Sequence, residues 1–205
     1  MREYPERTLL LSGREISWGG EGAVQVVAAG EVPRVRRYEP DRGCFMPVAL
    51  QPAPGVGRSG VARVELVRAA GEVPDGYGQR EGRASSPLPS ELERLAGIYR
   101  VVLPEWVRGG GVEGRLRITW AGDVAELVVD GVTVSDRFWD GSSWTVDLRD
   151  TGLGTAEDVV LRVLPLSAES RVWLSPEAQA LRASHSGQLL QTPTITVEEL
   201  VTYNG

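Results

Sequence analysis

Lysine is absent from this chain, and all 22 of its basic side chains are arginine. Together with abundant Gly, Ala, Val and Pro, that composition reads as the codon bias of a GC-rich genome and carries no functional information. Cysteine occurs once, at Cys44, which excludes an internal disulfide framework. Histidine also occurs once, at His185, so a zinc site built from the usual nitrogen and sulfur ligands is excluded. No segment is long and apolar enough to span a bilayer. The start, MREYPERTLLL, lacks a continuous apolar stretch of the signal-peptide kind, which favours a cytoplasmic address over secretion. The formal net charge of -6 argues against nucleic acid or an anionic membrane as partner.

What the chain does have is alternation, clearest from Gly114 to Leu148, a stretch holding three of its six tryptophans. Leu116, Ile118 and Trp120 alternate with Arg115, Arg117 and Thr119, the period of a strand with one buried and one wet face. Ala125, Leu127 and Val129 alternate with Val124, Glu126 and Val128, so both faces are largely apolar and a central strand is predicted. Asp130-Gly131 is a two-residue hairpin signal, because a type I′ turn needs positive φ at both central positions. Val132, Val134 and Phe138 continue the returning strand, Asp140-Gly141 marks the next reversal, and Trp144, Val146 and Leu148 begin another strand.

Short strand-like runs also fill residues 8–50 (Thr8–Leu11, Arg14–Trp18, Ala23–Ala28, Glu31–Tyr38), and Val61–Val67 alternates again. Between residues 69 and 89 aliphatic side chains give way to Gly, Pro, Ser and charge, which predicts a junction between two β modules or a functional loop. The expected organisation is an N-terminal β region over 1–85 and a second β domain over 86–205. Helix is marginal. SELERLA, opening at Ser90, has a capping serine and an apolar stripe, and SPEAQALRA, from Ser175, has proline at the first helical position. Arg171–Leu174 and Thr194–Tyr203 read as strands, the latter closing the sandwich.

Several motifs invite chemistry and fail their context test. Gly55-Val-Gly-Arg-Ser-Gly60 matches the dinucleotide fingerprint, but prolines precede it and a strand-like run follows where a helix is required. Gly109-Gly110-Gly111 has no following Lys-Ser/Thr and is no phosphate loop, and no cofactor is expected. His185, in ASHSGQ, reads as a solvated loop residue; Ser184 beside it lacks the Gly-x-Ser-x-Gly setting of a nucleophile. Asp123, Asp130, Asp136, Asp140, Asp147 and Asp150 fall in or beside turns, where Asp tolerates left-handed backbone and caps itself. No spacing selects two of them as a glycosidase pair, and no EF-hand pattern supports a calcium site at Asp136 and Asp140, so neither catalytic nor metal residues are assigned. Phe138 and Trp139 must point to opposite faces of their strand, one into the core and one outward.

The runs Gly97–Pro104, Trp120–Trp144 and Val159–Leu166 carry a Tyr-Arg strand, a GDVAELVVDG hairpin and an FWDGSSW turn. Over residues 90–174 this pattern resembles the C-terminal jelly-roll (galactose-binding-like) region of bacterial β-galactosidases of glycoside hydrolase family 35. That resemblance implies an all-β antiparallel sandwich or jelly roll, with a smaller N-terminal β region and one or two short helices. It also implies a non-catalytic, carbohydrate-associated role beside a (β/α)8 barrel on a separate domain or subunit, since this chain lacks the alternating βα pattern of such a barrel. For direct sugar binding the expected residues are Trp139 as stacking platform, Arg137 as donor, and Asp136 and Asp140 as acceptors, with Trp106 a second aromatic candidate. A purely structural module, its exposed aromatics buried against the barrel, is the competing expectation; an independent enzyme would need a carboxylate pair that the sequence does not reveal.

Overall fold

The computed structural model describes residues 9–14, 16–18, 24–28, 32–52, 57–74 and 77–205. The described chain divides into two compact units, Met1–Ser59 with Glu198–Gly205, and Gly60–Val197. The 69–89 stretch lies inside the second unit. Of the runs expected early in the chain, Thr8 and parts of 14–31 lie outside the described residues, as do Gly55 and Val56 of the glycine motif.

The first unit is built from short strands. β1 (Leu10–Ser12), β4 (Val35–Glu39) and β5 (Cys44–Pro47) form one antiparallel sheet. β2 (Ile16–Trp18), β3 (Val24–Ala28) and β6 (Gln51–Pro52) form another with the final strand, Val201–Asn204. Its core centres on Val26 and Val35, with Leu10, Ile16, Val48 and Leu50 against them. The Arg58 guanidinium grips the Glu199 carboxylate through two 2.8 Å hydrogen bonds, which hold that carboxyl below its ordinary range.

The second unit is a jelly roll. Its strands are β7 (Ser59–Arg68), β10 (Gly97–Val102), β11 (Gly114–Ala121), β12 (Val124–Val129), β13 (Val132–Phe138), β14 (Trp144–Asp147), β15 (Val159–Val163) and β16 (Gln191–Glu199). A two-strand hairpin, β8 (Gln79–Arg80) with β9 (Arg83–Ala84), lies between the first two. The ladder order is β13-β12-β15-β10-β7-β16-β11-β14. Split at β7, the order gives one sheet of β13-β12-β15-β10 and one of β7-β16-β11-β14, the alternating wrap of two Greek keys. β7 also pairs with β10, so it stitches the sheets together at one edge.

The alternation predicted for β11 holds, with Leu116 and Ile118 fully buried and Trp120 nearly so. β12 is central, between β13 and β15, and its second apolar face is used as well: Val124 packs with Tyr77, Leu92, Leu95 and Leu164 in a small outer cluster. Asp130 and Gly131 both take positive φ, 47° and 82°, as a type I′ turn requires. The Asp140-Gly141 reversal differs from a hairpin, because β13 pairs with β12 while β14 pairs with β11. Ala121-Gly122-Asp123 likewise passes the chain between sheets. The reason is burial: eight amphipathic strands share one core only if successive ones face each other across it.

Helix α1 (Pro89–Leu95) begins before Ser90; Leu88 is its N-cap, and the Glu91 carboxylate accepts the Leu88 N–H at 2.8 Å. Helix α2 (Pro176–Ala183) starts as predicted, with the Ser175 hydroxyl accepting the Ala178 N–H. The expected terminal strand breaks at Leu200, leaving β16 in the jelly roll and β17 (Val201–Asn204) in the first unit.

Gly122 sits where the crossing is tightest, since a Cβ there would lie 2.6 Å from the Leu164 carbonyl oxygen and 2.9 Å from a Val163 methyl. Gly122→Ala is therefore expected to cost about 1–3 kcal/mol in urea unfolding. Gly187→Ala, with nothing within 4 Å of the added methyl, is expected to leave the midpoint nearly unchanged. Equal midpoints for the two variants would refute the tight crossing.

Candidate functional site at the loop-bearing end of the jelly roll

Antiparallel strands send successive connections to alternate ends of the sandwich. One end collects residues 69–96, 122–123, 139–143 and 164–190. These loops are tied to one another: Asp123 N–H donates to Leu164 O (2.7 Å), Trp139 N–H to Asp123 O (2.9 Å), and Val73 N–H to the Gln188 side-chain oxygen (2.9 Å). The opposite end carries Trp106, the Asp130-Gly131 turn and residues 148–158, joined by Asp130 N–H to Asp158 O and Gly109 N–H to Gly154 O.

The residues expected to bind sugar do not converge. Trp139 lies on the same face of β13 as Arg137, whose partner Ala125 faces the core, and it is 6% exposed. Its ring packs inside the sandwich, which removes it as a stacking platform; Phe138 is the outward one of the pair, at 49%. Asp136 faces the outside of the sheet opposite Glu126, away from Arg137. Trp106 is half-buried at the other end, near a hollow of about 190 Å³ flanked by Gly110, Gly111 and the Arg149–Glu113 ion pair.

Arg137 and Asp140 do meet. The Arg137 guanidinium donates to Asp140 (2.9 Å) and to the Ser142 hydroxyl (2.8 Å), and the other Asp140 oxygen accepts the Ser142 N–H and O–H at 2.9 and 2.6 Å. Those bonds hold the Asp140 carboxyl at about 2, the Ser142 bonds contributing most. Gly141 is pressed onto α2, where a Cβ would lie 2.7 Å from that of Ala178 and 3.2 Å from the Ser175 hydroxyl. Self-capping turn chemistry recurs at Asp147, which accepts the Arg149 N–H, whereas Asp130 caps a distant loop by accepting the Glu157 and Asp158 N–H groups.

Asp123 departs from that pattern. It is buried, and one of its carboxylate oxygens accepts the Tyr77 hydroxyl at 2.8 Å. Burial raises the carboxyl, partly opposed by the Tyr77 hydrogen bond; burial and the adjacent Asp123 charge raise the phenol. The pair fastens the 73–78 segment and, through Tyr77, the α1 cluster to the end of β12.

Beside it lies a cleft of about 570 Å³ between residues 72–74, 167–169 and 185–188. His185 lines it half-buried, against the expectation of a solvated residue. Its Nδ1 lies 3.0 Å from the Leu181 carbonyl, which also accepts the Ser184 hydroxyl at 2.6 Å. Ser184 Oγ also lies 3.1 Å from His185 Nδ1, but no carboxylate hydrogen-bonds His185 among the described residues, so the pair lacks the third group that orients the base of a nucleophile–base pair. Among the described residues no three of His, Cys, Asp and Glu are grouped to hold a metal ion.

Sequence reasoning missed the most exposed aromatic side chain among the described residues. Trp173 is 84% exposed, on an extended segment where Arg171 and Trp173 face out while Val172 and Leu174 pack on the core. The alternation in Arg-Val-Trp-Leu carried that signal; the segment pairs with no strand. In comparisons with known proteins the chain matches no family model, no curated sequence and no solved structure.

The raised Asp123 carboxyl has a defined consequence for stability. Its contribution is greatest below its ordinary value and is lost as pH rises through the raised folded value, where the buried group must ionise. Asp123→Asn keeps an acceptor for Tyr77 and carries no charge. The variant is expected to gain stability relative to the parent as pH rises from about 4 to 7, measured by urea midpoints. Parallel pH profiles would refute the assignment.

Proposed function

We propose that the chain is a non-catalytic, carbohydrate-associated β-sandwich domain of a β-galactosidase-like glycoside hydrolase, acting beside a catalytic (β/α)8 barrel. The observation that carries this reading is the jelly roll itself. The runs that bear the family resemblance form its β10, β12, β13 and β15 with the adjoining ends of β11 and β14, and their alternating side chains supply much of its core. A core filled in this way leaves ligand contact to the loops and outer faces. The loop-bearing end supports such contact, with polar side chains at Arg137, Asp140 and Ser142, and with an open cleft.

A structural role without a ligand is the second reading, and one feature favours it. Val61, Leu66 and Val67 are 73%, 61% and 55% exposed on β7, on either side of the Arg63–Glu65 ion pair, apolar side chains available for contact with another domain. Titration of the purified chain with galactose and lactose by calorimetry separates the two. Saturable heat in the millimolar range, with the fold intact by circular dichroism, is expected for carbohydrate association. No heat with either sugar would reject it in favour of the structural role.

A further inference from the structure

We infer that Trp173, together with Arg171 and the Arg137–Asp140–Ser142 turn, forms a surface platform for a pyranose ring; this inference rests on the carbohydrate-associated reading above. Three observations carry it.

Trp173 is held without being buried. Val172 and Leu174 on either side pack on the core, and the Gln179 side chain donates to Leu174 O at 2.9 Å. On the N-terminal side Arg171 donates to Gly82 O in the turn of the β8–β9 hairpin, and Gln79 of that hairpin donates to Glu169 O at 2.8 Å. The segment is anchored on both sides, so the indole projects from a fixed base and little backbone freedom is lost when a ligand covers it.

The indole is isolated. The elements touching its segment are the β8–β9 hairpin, α2 and, through Gly141, the 140–142 turn. None of them exposes another large apolar side chain; among the described residues those that are exposed lie on the first unit, on β7, at Leu88, at Val132 and at Phe138, whose side chain takes the face of β13 opposite that of Arg137. A protein-docking hot spot sits inside a ring of apolar contacts that exclude water. A lone indole amid polar groups instead suits a ligand with one flat apolar C–H face and a rim of hydroxyls, which is a pyranose.

Hydrogen-bonding capacity is at hand. Arg171 faces out on the same side as Trp173, and among the described residues its one hydrogen bond, at 3.4 Å, is made through Nη1. The main-chain N–H and C=O of Trp173 have no partner among the described residues. Two residues on, Ser175 lies against Gly141, which brings the Arg137–Asp140–Ser142 turn to the same end of α2. Charged donors of this kind suit sugar hydroxyls, which accept as readily as they donate.

The test combines calorimetry with tryptophan fluorescence on the intact chain, using galactose and lactose as probes. Trp120, Trp139 and Trp144 are buried and Trp106 is half-buried, so in a Trp18→Phe background acrylamide quenching reports chiefly on Trp173. Saturating sugar is expected to protect the exposed fluorescence. Trp173→Ala should weaken binding about tenfold, and Trp173→Tyr, which keeps an aromatic face, should retain more affinity than Ala. Because the side chain lies mostly in water, both variants should keep the parent urea midpoint, which confirms that any loss is local. Sugar binding that persists unchanged in Trp173→Ala would overturn the platform while leaving the carbohydrate-associated role in place. The absence of binding by the parent chain to both sugars would overturn both.

Discussion

Everything in the second unit depends on two apolar sheet faces meeting across one core. Leu116 and Ile118 of β11, Leu127 of β12, Leu161 and Val163 of β15 and Ile195 and Val197 of β16 are all fully buried in it. Each fully buried aliphatic side chain contributes roughly 1.5–3 kcal/mol, and no local turn preference approaches their sum. The requirement that eight half-apolar strands bury their faces together overrides the local reversal signal at Asp140-Gly141, which becomes a crossing between sheets, while Asp130-Gly131 stays a hairpin.

That wrap also sorts the loops. Because strands alternate in direction, the long 69–96 and 164–190 connections and the tight turns at 122–123 and 139–143 arrive at one end, while Trp106 and Asp130 go to the other. Side chains distant in sequence become neighbours: Tyr77 with Asp123, Val73 with Gln188, Gly141 with Ala178. The buried Asp123 carboxyl opposes stability at this end. It is held by a phenol rather than a cation, which orders the Tyr77 segment and costs stability once the carboxyl ionises.

The candidate site shows how the same constraint redistributes roles. On β13, Arg137 and Trp139 fall on the inner face, and the longer, flat apolar side chain is taken by the core while the charged one reaches out to Asp140 and Ser142. The aromatic residue left in solvent comes instead from a segment outside every ladder, at Trp173. Charged and aromatic groups at this end therefore belong to different loops, brought together by the contact of Gly141 with α2.

By itself the amino-acid sequence determined what depends on neighbours along the chain. The two-residue period of β11 and β12 specified strands with defined inner faces, Asp130-Gly131 specified a type I′ turn, and Ser175-Pro176 specified a helix start, because each is a matter of local backbone sterics and hydrogen bonding. The all-β class followed from the sum of these. Strand partners, the placing of Trp139 inside and Trp173 outside, the burial of Asp123 and the lining of the cleft by His185 were decided only by tertiary structure. Alternation says that neighbouring side chains take opposite faces; it does not say which face meets the other sheet, and that choice is made by the total apolar area the strands remove from water.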